Sequence, residues 1–557
     1  MTKFLFALML SFMLNTIQAQ QFNWGSSIGG GSTDLAQRIA IDSSGNVFCA
    51  GLYTAPCGVL PAYGFQDIHL SKYTSDGFLL WQIGIGGANN DQVNAIATDT
   101  AGDIWVVGRF QGNIDLNPSD SVQNVTSNPA GALEGFIARY DGQTGLLIEY
   151  RDITSGGTID IRTLKIDQYN DIFIAGQYTQ TVNFDFNGGS FSKTSNIFSG
   201  DCFVGRYYGN LQLVWMNVIG SQTPAIDFIS DICLGGDGYV YCTGLLGGTA
   251  DINPAVASTN LVAAVDAFLI RYSQNDGSLS WGFLLGGSSL DLGNSVMMTE
   301  DGNVVIAGST NSSTMDVDPG VAINLLTKTG INAAPFLGRY SSTGTLVSAI
   351  LMEGDGAQTA TINRIFAGPD NTIMLTGNYK GNLDLELGDS SFIVQSGDST
   401  NTFVARYMTD WSLMQYFELG GDGDQIVNDI VLDGSKVYVC GQMSNTIFPQ
   451  FPDLELQVPR VSSGNDGFLV QYNLEPDALS TVDDALHVPH VYPNPTNGLI
   501  YSSSSDPKTT RIYDASGRKV EVSIHTGSID FTPLPAGIYL IVFTNNQHVG
   551  HARVIKY

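Results

Sequence analysis

Charge is scarce in this chain, and positive charge scarcer still. Asp, Glu, Lys and Arg make up 14% of 557 residues, with 24 Lys/Arg against 53 Asp/Glu and a net charge of −29. An average soluble domain carries about 25% charged residues. A negative excess of this size repels phosphate, so nucleic acid is excluded as a partner unless basic residues gather on one face, and no such run exists. Histidine is nearly absent from the body: of six, His487, His490, His525, His548 and His551 fall near the C-terminus, leaving His69 in "DIHLSKY" as a packed strand residue. That removes Ser-His-Asp, Cys-His and multi-histidine metal chemistry, and no catalytic residue is assigned. Six cysteines are too few to staple a body of this size and form no Cys-x-x-Cys pair. Cys49, Cys202, Cys233, Cys242 and Cys440 sit in apolar strand-like runs and read as buried hydrophobes, whereas Cys57 lies in the loop-like "TAPCGVLP".

Long hydrophobic runs are missing too. The one candidate, "FLFALMLSFML" from Phe4, falls short of the ~20 residues that a spanning helix needs, so no transmembrane segment is expected. With Lys3 before it and small Ala19 after it, this run has the layout of a secretory signal peptide over residues 1–20, cleaved near Ala19 or Gln20. Export to an oxidising compartment follows. Amphipathic periods of 3.6 nowhere persist for three turns, which excludes a helical body.

What the chain has is glycine, 64 residues of it, and short apolar runs bounded by Gly, Asn and Asp. An apolar-x-x-basic-Tyr strand marks a period: "IHLSKY" ends at Tyr73, "FIARY" at Tyr140, "FVGRY" at Tyr207 and "FLIRY" at Tyr272. It continues with "FLGRY" at Tyr340, "FVARY" at Tyr407 and "FLVQY" at Tyr472, so successive tyrosines lie 65 to 68 residues apart. Each unit contains four strand-like runs; in the second they are "VNAIATD", "DIWVVGRF", "EGFIARYD" and "LIEYRDI". Turns such as "DSSGN", "DTAGD" and "EDGNV" recur between the first two runs, with Gly or Asn free to take positive φ. Seven such units predict an all-β chain folded as a seven-bladed β-propeller of four antiparallel strands per blade. The N-terminal "FNWGSSIGG" is a lone outer-strand sequence, while the seventh unit lacks one, so the first strand is expected to close the ring beside the last. Closure removes exposed sheet edges.

The units resemble the SBBP family of β-propeller repeats, whose pattern "W...GG...D....IA.D..GN.Y..G" with "D.F...Y" recurs over residues 22–472. Unit six departs most, with "AILMEGDG" and Ala360 where other units carry Trp, Gly-Gly and Asp. That resemblance implies a fold and no particular reaction. After Tyr472 the composition shifts, and residues 475–490 read as an acidic, Pro-punctuated linker between a propeller over 21–474 and a tail over 491–557. "VYPNPTNG", "IYDASGRKV" and "PLPAGIYLIVFTNNQHVGHARVIKY" follow in order. They resemble the type A C-terminal sorting domain of the type IX secretion system of the Bacteroidota. The motif positions are Tyr492, Pro493, Asn494, Pro495, Gly498, Gly517, Arg518, Gly537 and Tyr539. Alternating apolar and polar residues around these turns predict a small β-sandwich. The resemblance implies export across both membranes through the type IX machinery, and either attachment to the cell surface or release. Charge divides along the same line: residues 491–557 hold six Lys/Arg and four Asp/Glu, a net of +2, leaving about −32 on propeller and linker.

Three repeated polar patterns are candidates for a role. Lys72, Arg139, Arg206, Arg271, Arg339 and Arg406 each precede the recurrent Tyr; repetition in six blades points to a structural role, pairing across blades with an Asp or with loop carbonyls. Asp34, Asp91, Asp227 and Asp291, with Asp160 and Asp424 shifted by one, stand in the "GG...D" loops entering the first strand of a unit. They are expected to fix those loops by accepting N–H groups or by pairing with the recurrent Arg, with a cation or ligand site as the alternative. Loops after the second strand carry "DLNP" (Asp115, Asn117), "NFDF", "DINP" (Asp251, Asn253), "DVDP" (Asp316, Asp318) and "DLEL" (Asp384, Glu386). Oxygens at i and i+2 on an extended segment suit either an Asx-turn or the start of a Ca²⁺ site; no other metal or cofactor is expected. Two functional classes remain: a surface or released module, expected as a monomer, that binds a glycan or protein or serves as a structural component, and a carboxylate-dependent polysaccharide hydrolase or lyase.

Overall fold

The structure, a computed structural model, describes residues 21–474 apart from 118–122, 128–132, 154–155, 196–199, 222–226, 254–258, 321–322, 330–332, 354–358, 388–390, 421–422, 445–447 and 450–463. In the C-terminal unit it describes 499–501, 510–514, 518–525, 528–535, 537–545 and 548–556. The segment expected as a signal peptide with Ala19 and Gln20, the segment expected as a linker, and motif positions Tyr492, Pro493, Asn494, Pro495, Gly498 and Gly517 lie outside the described residues. No helix occurs among the described residues. The chain divides into two compact units, 1–475 and 476–557.

In the first unit the strands group into seven antiparallel sets of four, called blades here and numbered along the chain. Blade 1 is typical: inner strand Asp34–Ile41, then Val47–Tyr53, Asp67–Tyr73 and outer strand Leu79–Ile85. Blades 2 to 6 span residues 91–153, 159–221, 228–285, 291–351 and 359–420. Blade 7 combines Gln425–Asp433, Lys436–Met443 and Asp466–Asn473 with the N-terminal strand Gln21–Ile28, whose register runs from Gln21↔Asn473 and Phe22↔Tyr472 to Ile28↔Gly467. The first and last segments of the propeller thus share one sheet. Blades 3 and 4 are also joined, through Gly220↔Asp251 and Ser221↔Ala250.

Apolar residues on both faces of each sheet are buried because each blade packs between two neighbours. One core cluster, for example, joins Phe48, Ile68 and Ile85 of blade 1 to Val93, Val106, Phe136 and Tyr140 of blade 2. The blade 7–blade 1 junction is built the same way, with Ile28, Cys49, Tyr73, Tyr438, Cys440 and Leu469 in a single cluster. Burial of this kind, at about 25 cal/mol per Å² of apolar surface, is what holds a propeller together. The recurrent tyrosines have a further task. The segment after the second strand of blades 2, 3, 5 and 6 forms a short hairpin, and Tyr140, Tyr207, Tyr340 and Tyr407 donate their hydroxyls at 2.6–2.8 Å to Leu116, Phe184, Val317 and Leu385 within it. In blade 4 Tyr272 does the same to Ile252 at 2.7 Å.

A knob and a hole fasten each blade to the next. The outer-strand tryptophans Trp24, Trp81, Trp215 and Trp281 donate their indole N–H groups to carbonyls of Ser75, Gly142, Gln274 and Ser342, in the turn between the third and outer strands of the following blade. Each ring lies against a glycine of positive φ in that turn: Gly77, Gly145, Gly277 and Gly344. A Cβ on Gly77 would come within 2.6 Å of Trp24. Blade 6 carries Gln415 at the position paired with the recurrent Arg, its amide bonding the Leu474 carbonyl, and blades 2 and 5, also without such a tryptophan, carry Glu149 and Ser348 there. The following blades compensate from the other side. Leu211 (φ 63°) and Trp411 (φ 72°) replace the turn glycine, and Trp411 donates its indole N–H back to Ser348 Oγ at 3.0 Å.

In the second unit, Leu499–Tyr501, Ser523–His525 and Ser528–Asp530 form one antiparallel sheet, and Thr510–Asp514, Lys519–Val520, Gly537–Asn545 and His548–Lys556 another. Ile529 of the first and Ile512, Tyr539 and Ile541 of the second share one small core. Tyr539 is buried against Phe531 and donates to the Pro535 carbonyl at 2.8 Å, Gly537 pairs with Lys556, and Arg518 is exposed just before the short strand at Lys519.

Candidate binding site in the propeller channel

Each inner strand carries a bulge at the same place, between Ala36/Arg38, Val93/Ala95, Ile161/Thr163, Ile229/Asp231, Gly293/Ser295, Ile362/Arg364 and Val427/Asp429. A bulge leaves one residue unpaired and turns the next toward a new direction. Four of the unpaired residues are asparagines whose amides bond the carbonyl ahead of the bulge in the next blade: Asn94 to Ile161 (2.9 Å), Asn294 to Ile362 (2.8 Å), Asn363 to Val427 (2.6 Å) and Asn428 to Ala36 (2.8 Å). The last of these crosses from blade 7 to blade 1.

The residues following the bulges line a central cavity of about 520 Å³ to which all seven inner strands contribute. Ion pairs organise it. Arg364 reaches Asp231 at 3.1 Å and Asp429 at 3.4 Å, while Lys165 stands 4.0 Å from Asp231. Asp231 also accepts bonds from Ser295 Oγ (2.8 Å) and the Val296 N–H (3.3 Å), and Asp429 from the Ile39 N–H (3.2 Å). Burial alone would raise the Asp231 carboxyl, but Arg364 first, then Lys165 and these hydrogen bonds, hold it below the usual range. Arg364 is raised in turn by the two carboxylates, against the effect of its burial. Further along the same strands the wall becomes apolar, with Ile166, Leu234, Met298, Phe366 and Leu432 half-buried.

The residues singled out from the sequence lie elsewhere. The recurrent basic residues bind the carboxylates of the first turn in their own blade: Lys72 to Asp42 (2.9 Å), Arg139 to Asp99 and Asp103 (2.9 and 2.8 Å), Arg206 to Asp171, Arg271 to Asp237 (2.8 Å) and Arg339 to Asp301. Arg406 pairs with Asp370 at 3.5 Å and also bonds Pro369 O and Thr372 Oγ1, both at 2.9 Å. Lys72, Arg206 and Arg339 also reach into the following blade, to the carbonyls of Gly142, Gln274 and Thr409.

The "GG...D" carboxylates are at the opposite end of the blades. Pairing between them and the recurrent Arg, expected as one alternative, does not occur, because the Arg stands at the far end of its strand. Asp34 accepts the Gly30 N–H (2.6 Å), Asp291 that of Gly287 (2.7 Å), and Asp227 those of Ser221 and Gly247 (2.9 and 2.8 Å). The shifted Asp160 binds Arg162 (3.0 Å), and Asp424 accepts the Thr400 N–H (2.7 Å). Several junctions place a second acid nearby on the third strand, as with Asp67 beside Asp91, Asp266 beside Asp291 and Asp466 beside Asp34. Burial first, and the neighbouring carboxylate further down the order of causes, push Asp91 up to about 8 and Asp34 and Asp266 to about 6.

In the "D-x-N-P" loops one oxygen closes the loop on itself. Asp115 Oδ1 accepts the N–H groups of Asn117 and Gln123 (3.0 and 2.8 Å), Asp251 those of Asn253 and Thr259 (3.0 and 2.9 Å). Asp316 takes those of Asp318 and Asn324 (both 3.1 Å), and Asp384 those of Glu386 and Phe392 (3.0 and 2.8 Å). Among the described residues no three His, Cys, Asp or Glu side chains are grouped to hold a metal ion.

Comparison with known proteins bears on both units. An uncharacterized WD repeat-containing protein of Acanthamoeba polyphaga mimivirus is 20% identical over 535 residues, an alignment covering 81% of this chain and 38% of that protein; the chain thus spans well under half the length of this relative. Among solved structures, the Dos1 propeller is 10% identical with a TM-score of 0.37, over 82% of this chain and 96% of that one. A protein of unknown function from Dyadobacter fermentans is 11% identical with a TM-score of 0.33, over 82% and 99%. Residues 490–557 match the secretion system C-terminal sorting domain, the mark of proteins that the type IX secretion system exports to the cell surface or releases.

Proposed function

We propose that the propeller is a binding module carried outward by its sorting domain, and that its ligand enters the central channel. The observation that carries this reading is the cavity itself: about 520 Å³, with a charged floor and half-buried apolar walls, a combination typical of small-molecule sites. A saccharide, which presents hydroxyl edges and apolar ring faces, suits such a lining. Hydrolysis by paired carboxylates fits less well. That chemistry needs a protonated acid and an ionised base flanking one bond. The channel carboxylates Asp231 and Asp429 are both engaged by Arg364, whereas the acids with raised pKa, namely Asp34, Asp67, Asp91, Asp227, Asp266 and Glu418, are buried away from the channel lining. A glycan array run beside a polysaccharide activity screen tests the reading. Retention of a glycan without release of new reducing ends is expected; steady release of reducing ends would favour the hydrolase.

A further inference from the structure

Arg38 differs from the other charges of the channel. Arg364 is held between two carboxylates and Lys165 stands beside one of them, but among the described residues no carboxylate oxygen lies within 4.0 Å of Arg38. Its guanidinium is steadied from behind by backbone carbonyls, Nε bonding Asn94 O and Nη1 bonding Gln37 O at 2.7 Å. No described acceptor is bonded to Nη2. Asp429, the nearest acid of the neighbouring blade, spends one oxygen on the Ile39 N–H and the other on Arg364.

Counted together, Arg38, Lys165 and Arg364 against Asp231 and Asp429 leave the channel with one excess positive charge, inside a chain whose net charge is −29. Arg38 and Arg364 also disfavour one another: the Arg38 guanidinium is pushed below its ordinary range first by burial and next by the charge of Arg364. An anion resting against Arg38 would offset both. A carboxylate matches the planar fork of a guanidinium, and a low-dielectric channel strengthens the pairing.

We infer that the channel takes a carboxylate-bearing ligand of monosaccharide size, the hexuronic acids being the class that joins that charge to a ring, with Arg38 holding the carboxylate while the apolar wall receives the rest. This rests on the channel being the binding site. Arg38 is a binding residue without a structural ion pair, so its loss should leave the fold intact.

The test is calorimetric titration of the full chain with D-galacturonate and D-glucuronate, with D-galactose, D-glucose and acetate as comparators. It compares the unaltered protein with Arg38→Gln, Arg38→Lys and Met298→Trp, the last filling the channel. The sugar acids are expected to bind, more weakly with added salt. Arg38→Gln should cost tenfold or more in their affinity at unchanged melting temperature, Arg38→Lys less, and Met298→Trp should abolish binding. Equal binding of acid and neutral sugars, indifferent to Arg38→Gln but lost in Met298→Trp, would overturn the anionic ligand and keep the channel. Binding untouched by Met298→Trp would overturn the channel reading itself. Absence of binding by every acid probe would overturn the inference.

Discussion

Trp411 and Ser348 should behave as a single interlocking unit, and this can be tested by exchanging them. Trp411 is 5% exposed, fills the junction between blades 5 and 6, and holds a positive φ of 72° that four other blades give to glycine. Replacing it by Gly removes a buried indole, which costs about 3–5 kcal/mol, and relieves about 1 kcal/mol of left-handed backbone strain. The net expected loss for Trp411→Gly is about 2–4 kcal/mol. Ser348→Trp alone forces a second indole into a site already filled by the first, an overpacking of about 1–3 kcal/mol. Combined, the two substitutions rebuild the arrangement of Trp281 on Gly344, and stability should return to within about 1 kcal/mol of the original. A coupling energy of about 3 kcal/mol or more is therefore expected, far outside the 0.3–0.5 kcal/mol scatter of independent sites. Urea denaturation followed by far-ultraviolet circular dichroism reads this directly, provided the m-values agree. Simple addition of the two single losses would refute the knob-and-hole account of blade packing.

Removing residues 21–30 should lower the midpoint of the whole first unit in one cooperative transition, because Gln21–Ile28 supplies both an edge of blade 7 and the Trp24 contact to blade 1; loss confined to a minor early transition would contradict closure by this strand. Asp91 has its pKa raised to about 8 by burial against an unfolded value near 3.8, so the stability tied to its protonated form is complete below the unfolded value and is lost as pH rises through about 8. Asp91→Asn should flatten that decline and gain on the order of a few kcal/mol over the unaltered protein near pH 8; parallel pH–stability curves would disprove the assignment. Arg271→Ala should cost only about 1 kcal/mol, because Asp237 is exposed and keeps the Tyr241 hydroxyl as a donor, with Arg271→Lys recovering part of it in the same melt; a loss of several kcal/mol would contradict this. Truncation after Pro476 should leave a folded propeller confined to the periplasm of a host with type IX machinery, as read by fractionation and immunoblotting; its appearance outside would remove the tail from export.

The scaffold was legible because its residues answer to a repeated geometry. Blades 2 to 6 use a hydroxyl from the third strand for the second-strand loop, blades 1 to 6 a cation for the first turn, and most blades a carboxylate for the Gly-Gly loop, so tyrosine, arginine and aspartate return at fixed spacing. The closing strand could be read for the same reason, as an outer-strand sequence without its own blade. Partnerships were harder. The Arg and the "GG...D" Asp share a period, but they stand at opposite ends of the sheet, and a one-dimensional spacing carries no sign of which end a loop occupies. Trp411 was hidden by displacement: its indole serves blade 5 from a turn in blade 6, so the fifth unit looks deficient and the sixth irregular, although together they satisfy the rule.

The channel was missed because a site on a symmetric ring is written in the differences between repeats. At the position after the bulge the seven blades offer Arg, Ala, Thr, Asp, Ser, Arg and Asp, and no repetition draws attention to them. The signal that was available is the reverse of a repeat: charged residues inside inner strands that are otherwise apolar, at one aligned position. Seven equal blades pack well with any set of residues there, provided that charges on neighbouring strands satisfy one another. Arg364 meets that condition through Asp231 and Asp429, and Asp429 satisfies it for blade 1 by accepting the Ile39 N–H. Arg38, half-buried in the cavity wall, has only backbone carbonyls behind it and no charge partner, an arrangement that packing alone does not require. A repeat fold frees such positions from structural duty, and the charge left unpaired among them is where recognition is most economically placed.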